Sequence, residues 1–151
     1  MKRKLVTMFF GLVVGVMLFL PSITTFAANY KSYEVWSFSM NYRFVEGCAN
    51  DQYYDLEKGT AYFSGTIKNK VKSNGDTTYP PNTLYCILLR EKIGPDVAVG
   101  STMTIGNETS MSFTNKKIGT VSTKSSKYYF QFYKLEVDNY KCTGTGSLIV
   151  K

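Results

Sequence analysis

A chain of 151 residues without a single histidine cannot assemble a Ser-His-Asp or Cys-His nucleophile, nor a histidine-bound zinc or copper site. Its 18 Lys and Arg against 11 Asp and Glu give a formal charge of +7, but the lysines are scattered rather than massed into the dense basic stripe of a nucleic-acid binder. The length suits one domain with one core.

In chain order, the first element is a targeting segment. Lys2, Arg3 and Lys4 precede the apolar run LVTMFFGLVVGVMLFL over residues 5–20, and Pro21 and SITTFAA follow. Basic start, apolar centre and small-residue end are the three parts of a secretory signal peptide. We expect residues 1–27 to be removed, with the cut after Ala27 or Ala28, leaving 28–151 as a single all-β domain. The rival, a retained anchor, needs about 20 apolar residues, and this run has sixteen. Removing the segment leaves 15 Lys and Arg against 11 acids, a mature charge of +4. That mild excess favours anionic envelope polymers, glycans or membrane surfaces as partners, in a secreted or envelope-associated protein.

The mature chain reads as strands. YEVWSFSMNYRF (33–44) alternates, with Trp36, Phe38, Met40, Tyr42 and Phe44 on one face; period two marks a strand with one side in a core. The polar segment GCANDQYYDLEKG (47–59) follows, and then GTAYFSGTIKNKVK (59–72) alternates again. Lys68, Lys70 and Lys72 share a face there, as a solvated edge strand or a basic binding patch. SNGD (73–76) supplies an Asn-Gly turn. TLYCILLREKI (83–93) is apolar on both faces and reads as a central, fully covered strand. DVAVGSTMTI (96–105), ETSMSFT and KKIGTV continue the pattern, with turns at Gly106-Asn107 and Asn115. KYYFQFYKLEV (127–137) is aromatic on both sides, and CTGTGSLIV is the last strand. Seven to eight such strands and no capped amphipathic helix predict an antiparallel β-sandwich.

Three cysteines, Cys48, Cys86 and Cys142, remain for an oxidising exterior. Pairing the first and last strands would bring Cys48 to Cys142 as a disulfide, leaving Cys86 as a buried thiol; Cys86–Cys142 is the alternative. The loop at Asn50, Asp51, Asp55 and Glu57 offers oxygen ligands for calcium, although its spacing is not that of an EF-hand. Its plainer reading is a solvated hairpin loop. Paired carboxylates among Asp51, Asp55, Glu57, Asp76 and Asp96 are the one route to catalysis left, as a small glycan hydrolase. On strand 127–137, Tyr129 and Tyr133 share a face that, if left uncovered, can stack on sugar rings or meet a membrane. Together with Lys68, Lys70 and Lys72 they form the candidate binding surface. The Asn107-Glu108-Thr109 sequon is too short a match to carry weight. No catalytic residue or cofactor is assigned. The expectation is a secreted, non-enzymatic binding protein of the envelope or an extracellular surface. The alternatives are a membrane-active, bacteriocin-like protein and a carboxylate-based glycan hydrolase.

Overall fold

The alternating segments pair into two antiparallel sheets in a computed structural model that describes residues 30–72 and 79–151. The expected signal peptide (1–27) and the Asn-Gly turn (73–76) lie outside these residues. Ten strands are described: β1 (Ser32–Met40), β2 (Phe44–Glu46), β3 (Tyr54–Leu56), β4 (Gly59–Val71), β5 (Leu84–Arg90), β6 (Val97–Ala98), β7 (Met103–Gly106), β8 (Ser110–Val121), β9 (Ser125–Lys134) and β10 (Tyr140–Val150). Sheet A has the order β1-β10-β4-β8; sheet B runs β2-β9-β5-β6, with β3 also on β9 and β7 also on β5. The all-β sandwich is therefore as expected, with more and shorter strands. Among the described residues no helix is long and apolar enough to cross a membrane.

The differences from the sequence reading have local causes. The run 33–44 is two strands in different sheets: β1 ends at Met40, a bend crosses the sandwich, and Phe44 opens β2 against Tyr133 of β9. Alternation continues across the bend, so period two does not reveal the change of sheet. The run 96–105 breaks where Gly100 takes φ +77° and lies against the Ile118 carbonyl, where a Cβ would stand 2.2 Å from the oxygen. Asn115, expected as a turn, instead forms a bulge at φ +48°. Its N–H donates to Ser64 Oγ at 2.8 Å, so β8 runs on through it.

The core lies between the sheets. Trp36 on β1 stacks on Phe63 at 4.6 Å, and Phe38 stacks on Phe132 of the facing sheet at 3.9 Å. Phe130 meets Phe63 edge-on at 5.5 Å. Each buried aromatic of this kind contributes roughly 1.5–3 kcal/mol of hydrophobic stabilisation. The indole reaches from an edge strand across β10 to β4, and Nε1 donates to the Ser64 carbonyl at 3.2 Å. Glycines make the reach possible: a Cβ at Gly146 would stand 2.0 Å from the Ser64 oxygen and 2.6 Å from the indole. The alternating glycines of CTGTGS thus lay a floor for the single tryptophan.

Six connections cross between the sheets; 57–58 and 122–124 do so at one end, and 41–43, 72–83, 107–109 and 135–139 at the other. Backbone bonds tie the latter four together there. Lys134 N–H donates to the Arg43 carbonyl at 2.7 Å, Lys72 N–H to Asn139 at 2.8 Å and Asn69 N–H to Thr109 at 2.9 Å. We call this the crossover end.

Candidate functional site

The acidic loop does not converge on a point. Cys48–Asn50 forms one 3-10 turn closed by Asp51 at φ 54°. The Asn50 amide donates to the Glu46 carbonyl at 2.9 Å. Glu57 is paired with Lys124, and the Asp55 N–H donates to Glu34 Oε1 at 3.1 Å. Asp96 accepts from the Tyr129 hydroxyl and from Lys92 N–H. Among the described residues no three of His, Cys, Asp and Glu are grouped to hold a metal ion. Asp76 lies outside the described residues.

All three cysteines are free thiols, which corrects both expected disulfides. The first and last strands do pair, but the residue facing Cys142 is Met40. Cys48 lies eight residues further on, past the crossover and beside Tyr129 in the other sheet. Cys86 and Cys142 are likewise held in opposite sheets. Burial raises all three thiols above their ordinary value: Cys86 furthest, and Cys142 to about 11, where the Lys134 charge partly offsets it. Thiolate chemistry is therefore suppressed.

The outward side of sheet B is half-covered by its own side chains. Tyr85, Ile87 and Leu89 of β5 are partly exposed, so β5 is central but not fully covered. Tyr133 stacks on Tyr85 at 5.4 Å. Tyr129, expected as a contact residue, is only 1 % exposed. Its hydroxyl binds Asp96 and lies 3.4 Å from Glu46, and Tyr53 packs edge-on against it at 6.2 Å. Burial first, then the carboxylate of Asp96, pushes this phenol far above the ordinary tyrosine value. Tyr129 is thus a packing residue, removed from the candidate surface.

The outward side of sheet A is different in kind. Ser37, Thr145, Thr66 and Ser112 form one row across four strands, and Ser39, Thr143, Lys68 and Ser110 form the next. Beyond them Lys70 stands directly opposite Lys141. β4 is an interior strand, not the edge expected for it. Like charges placed opposite each other on a sheet destabilise it, yet neither lysine, nor Lys68, pairs with a carboxylate; the ion pairs of the described residues involve Lys124, Lys127 and Lys134. Lys72 leaves the row: its Nζ donates to the Asp138 carbonyl at 2.7 Å and sits over the Tyr42 ring at 5.8 Å. The structure therefore keeps Lys68 and Lys70 together, adds Lys141, and puts Tyr133 on the opposite sheet. Alternation in YKCTG already pointed Lys141 outward, but only the β4–β10 register sets it beside Lys70.

Below this patch the crossover end is braced by a buried ion pair. Lys134 Nζ lies 2.6 Å from Asp138 Oδ2, and the two side chains are 0 % and 9 % exposed. The same carboxylate accepts the N–H groups of Asn82 at 2.8 Å and Tyr140 at 3.1 Å. Comparison of the chain with family models, characterised proteins and solved structures finds no match.

Proposed function

We propose that the protein is a secreted, non-enzymatic binding protein that attaches to anionic surfaces at a cell envelope or in its surroundings. The observation that carries this reading is the trio Lys68, Lys70 and Lys141, exposed, without an ion-pair partner among the described residues and set at the head of two hydroxyl rows. Three cations held together against their mutual repulsion are a standing cost to stability, and an anionic partner relieves it. The flanking serines and threonines supply hydroxyl donors and acceptors for phosphate or sugar oxygens. The signal-peptide pattern of residues 1–27 supports a role for such a surface outside the cell.

The test is binding of the mature protein to inorganic polyphosphate and to isolated wall polymer over a range of salt. Each lysine near a highly anionic surface is worth about 1 kcal/mol. The Lys68→Gln/Lys70→Gln/Lys141→Gln variant should therefore weaken binding by about two orders of magnitude at low salt. Salt should weaken the wild type in the same direction. Equal binding by variant and wild type removes the proposal.

A further inference from the structure

We infer that the crossover end is a lipid-contact surface that seats on an anionic bilayer; this rests on the anionic-surface reading and names the surface. Nine large hydrophobic side chains are exposed among the described residues, and six of them lie at this one end: Tyr42, Phe44, Val71, Tyr79, Leu135 and Val137. Four are on connections rather than strands, and those four are the most solvated of the six. Tyr42 is 74 % exposed, Tyr79 73 %, Leu135 68 % and Val137 60 %. They come from three separate connections, which hydrogen bonds hold side by side. Lys134 N–H donates to the Arg43 carbonyl at 2.7 Å, Asn82 Nδ2 to the Glu136 carbonyl at 3.3 Å, and the Tyr140 hydroxyl to the Tyr79 carbonyl at 3.1 Å. An exposed apolar cluster of this kind on a fixed support marks a contact site.

Charge selects the occupant. Arg43, Lys68, Lys70, Lys72 and Lys141 surround the apolar tips, and none forms an ion pair among the described residues. The described carboxylates at this end are Glu108, Glu136 and Asp138, and Asp138 is already taken by buried Lys134. Two tyrosines with aliphatic tips, ringed by cations, match the layered chemistry of a bilayer boundary. Apolar side chains enter the acyl border, tyrosines lie at headgroup level, and lysines reach lipid phosphates. A second copy of this chain would bring like charges together and is the poorer fit. The Lys134–Asp138 pair holds the 135–139 connection rigid, so the tips are presented without an ordering cost.

The experiment measures binding of the mature protein to phosphatidylcholine vesicles with and without phosphatidylglycerol, beside binding to polyphosphate. Two variants are compared, Leu135→Ser/Val137→Ser and the Lys68, Lys70, Lys141→Gln triple. Trp36 emission and the urea midpoint establish that each remains folded. The wild type should bind only the vesicles that contain phosphatidylglycerol. The serine variant should lose about tenfold or more in vesicle affinity, because two aliphatic side chains no longer leave water, while keeping polyphosphate binding. The lysine variant should lose both. A Val137→Trp reporter should shift to the blue on anionic vesicles.

Wild-type binding to polyphosphate but not to vesicles overturns the lipid surface and leaves the anionic-surface reading standing. So does a serine variant that binds vesicles as well as the wild type. A dimer that the serine variant dissolves reassigns the end to self-association. Binding to neither probe overturns both readings.

Discussion

Replacing Asp138 by asparagine leaves the Lys134 ammonium, 0 % exposed, with no counter-charge. Breaking a buried pair from one side costs about 3–5 kcal/mol, since the remaining ion has lost both water and partner. Asparagine keeps one acceptor oxygen, enough for the Tyr140 N–H or the Asn82 N–H but not both, so the charge is lost together with one hydrogen bond rather than the whole set. For a domain of this size, at about 4 °C per kcal/mol, the thermal midpoint should fall by about 12–20 °C. The Lys134→Met/Asp138→Asn double variant should recover at least half of that, because no stranded charge is left. The control is Glu57→Gln. Its lysine partner is 62 % exposed and Glu57 40 %, so solvent screening leaves little at stake. Urea unfolding followed by Trp36 emission gives all three values on one scale. If Asp138→Asn costs no more than Glu57→Gln, or if the double variant is no better than the single, Lys134 is not the sealed ion described here.

Three further outcomes follow from other parts of the molecule. Gly146→Ala should cost about 3 kcal/mol or more by urea unfolding, because the added methyl meets the Ser64 carbonyl at 2.0 Å and the carbonyl cannot swing aside. Gly94→Ala, with nothing within 4 Å and φ +96°, should cost only the backbone term of about 1–2 kcal/mol. A chromogenic disulfide reagent should find three thiols after denaturation and at most Cys48 in the native protein, since Cys86 and Cys142 are buried; a native protein with fewer than three thiols after denaturation would restore a disulfide. In alkali, Tyr53 is held protonated up to about 12, first by its bond to Glu91, and burial raises Tyr54 and Tyr129 further. The folded state then holds protons that the unfolded chain releases near pH 10, so this stabilisation is intact below about 10 and is lost as pH rises through 10 to 12. Phenolate absorbance should rise for these residues together with unfolding; their free titration near pH 10 in folded protein contradicts the assignment.

The sequence carried the fold because period two is a direct consequence of strand geometry. Trp36, Phe38 and Met40 are buried while Ser37 and Ser39 are exposed, as the alternation requires. What alternation lacks is any record of sheet membership. Residues 33–44 keep one phase through a change of sheet, and the error in placing Cys48 beside Cys142 came from that. The candidate surface was legible only in part for a related reason. Lys68 and Lys70 are two apart on one strand and visibly share a face, whereas Lys141 joins them through a partner strand seventy residues away. Alternation turns Tyr129 outward but does not tell whether that face is covered, and Tyr53, Glu46 and Asp96 reach it from three separate connections or strands. Nothing in the sequence groups the apolar tips at 42, 79, 135 and 137, because what unites them is three crossings that share one end.

The position of β10 has a consequence for how the chain comes to be folded. This last strand is the centre of sheet A, with β1 on one side and β4 on the other; β1 has no other partner in the sheet. Ser32 pairs with Val150, so the sheet cannot close until residues 140–150 are free to enter it. A chain still being synthesised or threaded through a narrow passage holds sheet A open, with Trp36 unseated from its glycine floor. Pairings this distant along the chain belong to the slow class of folding, milliseconds to seconds.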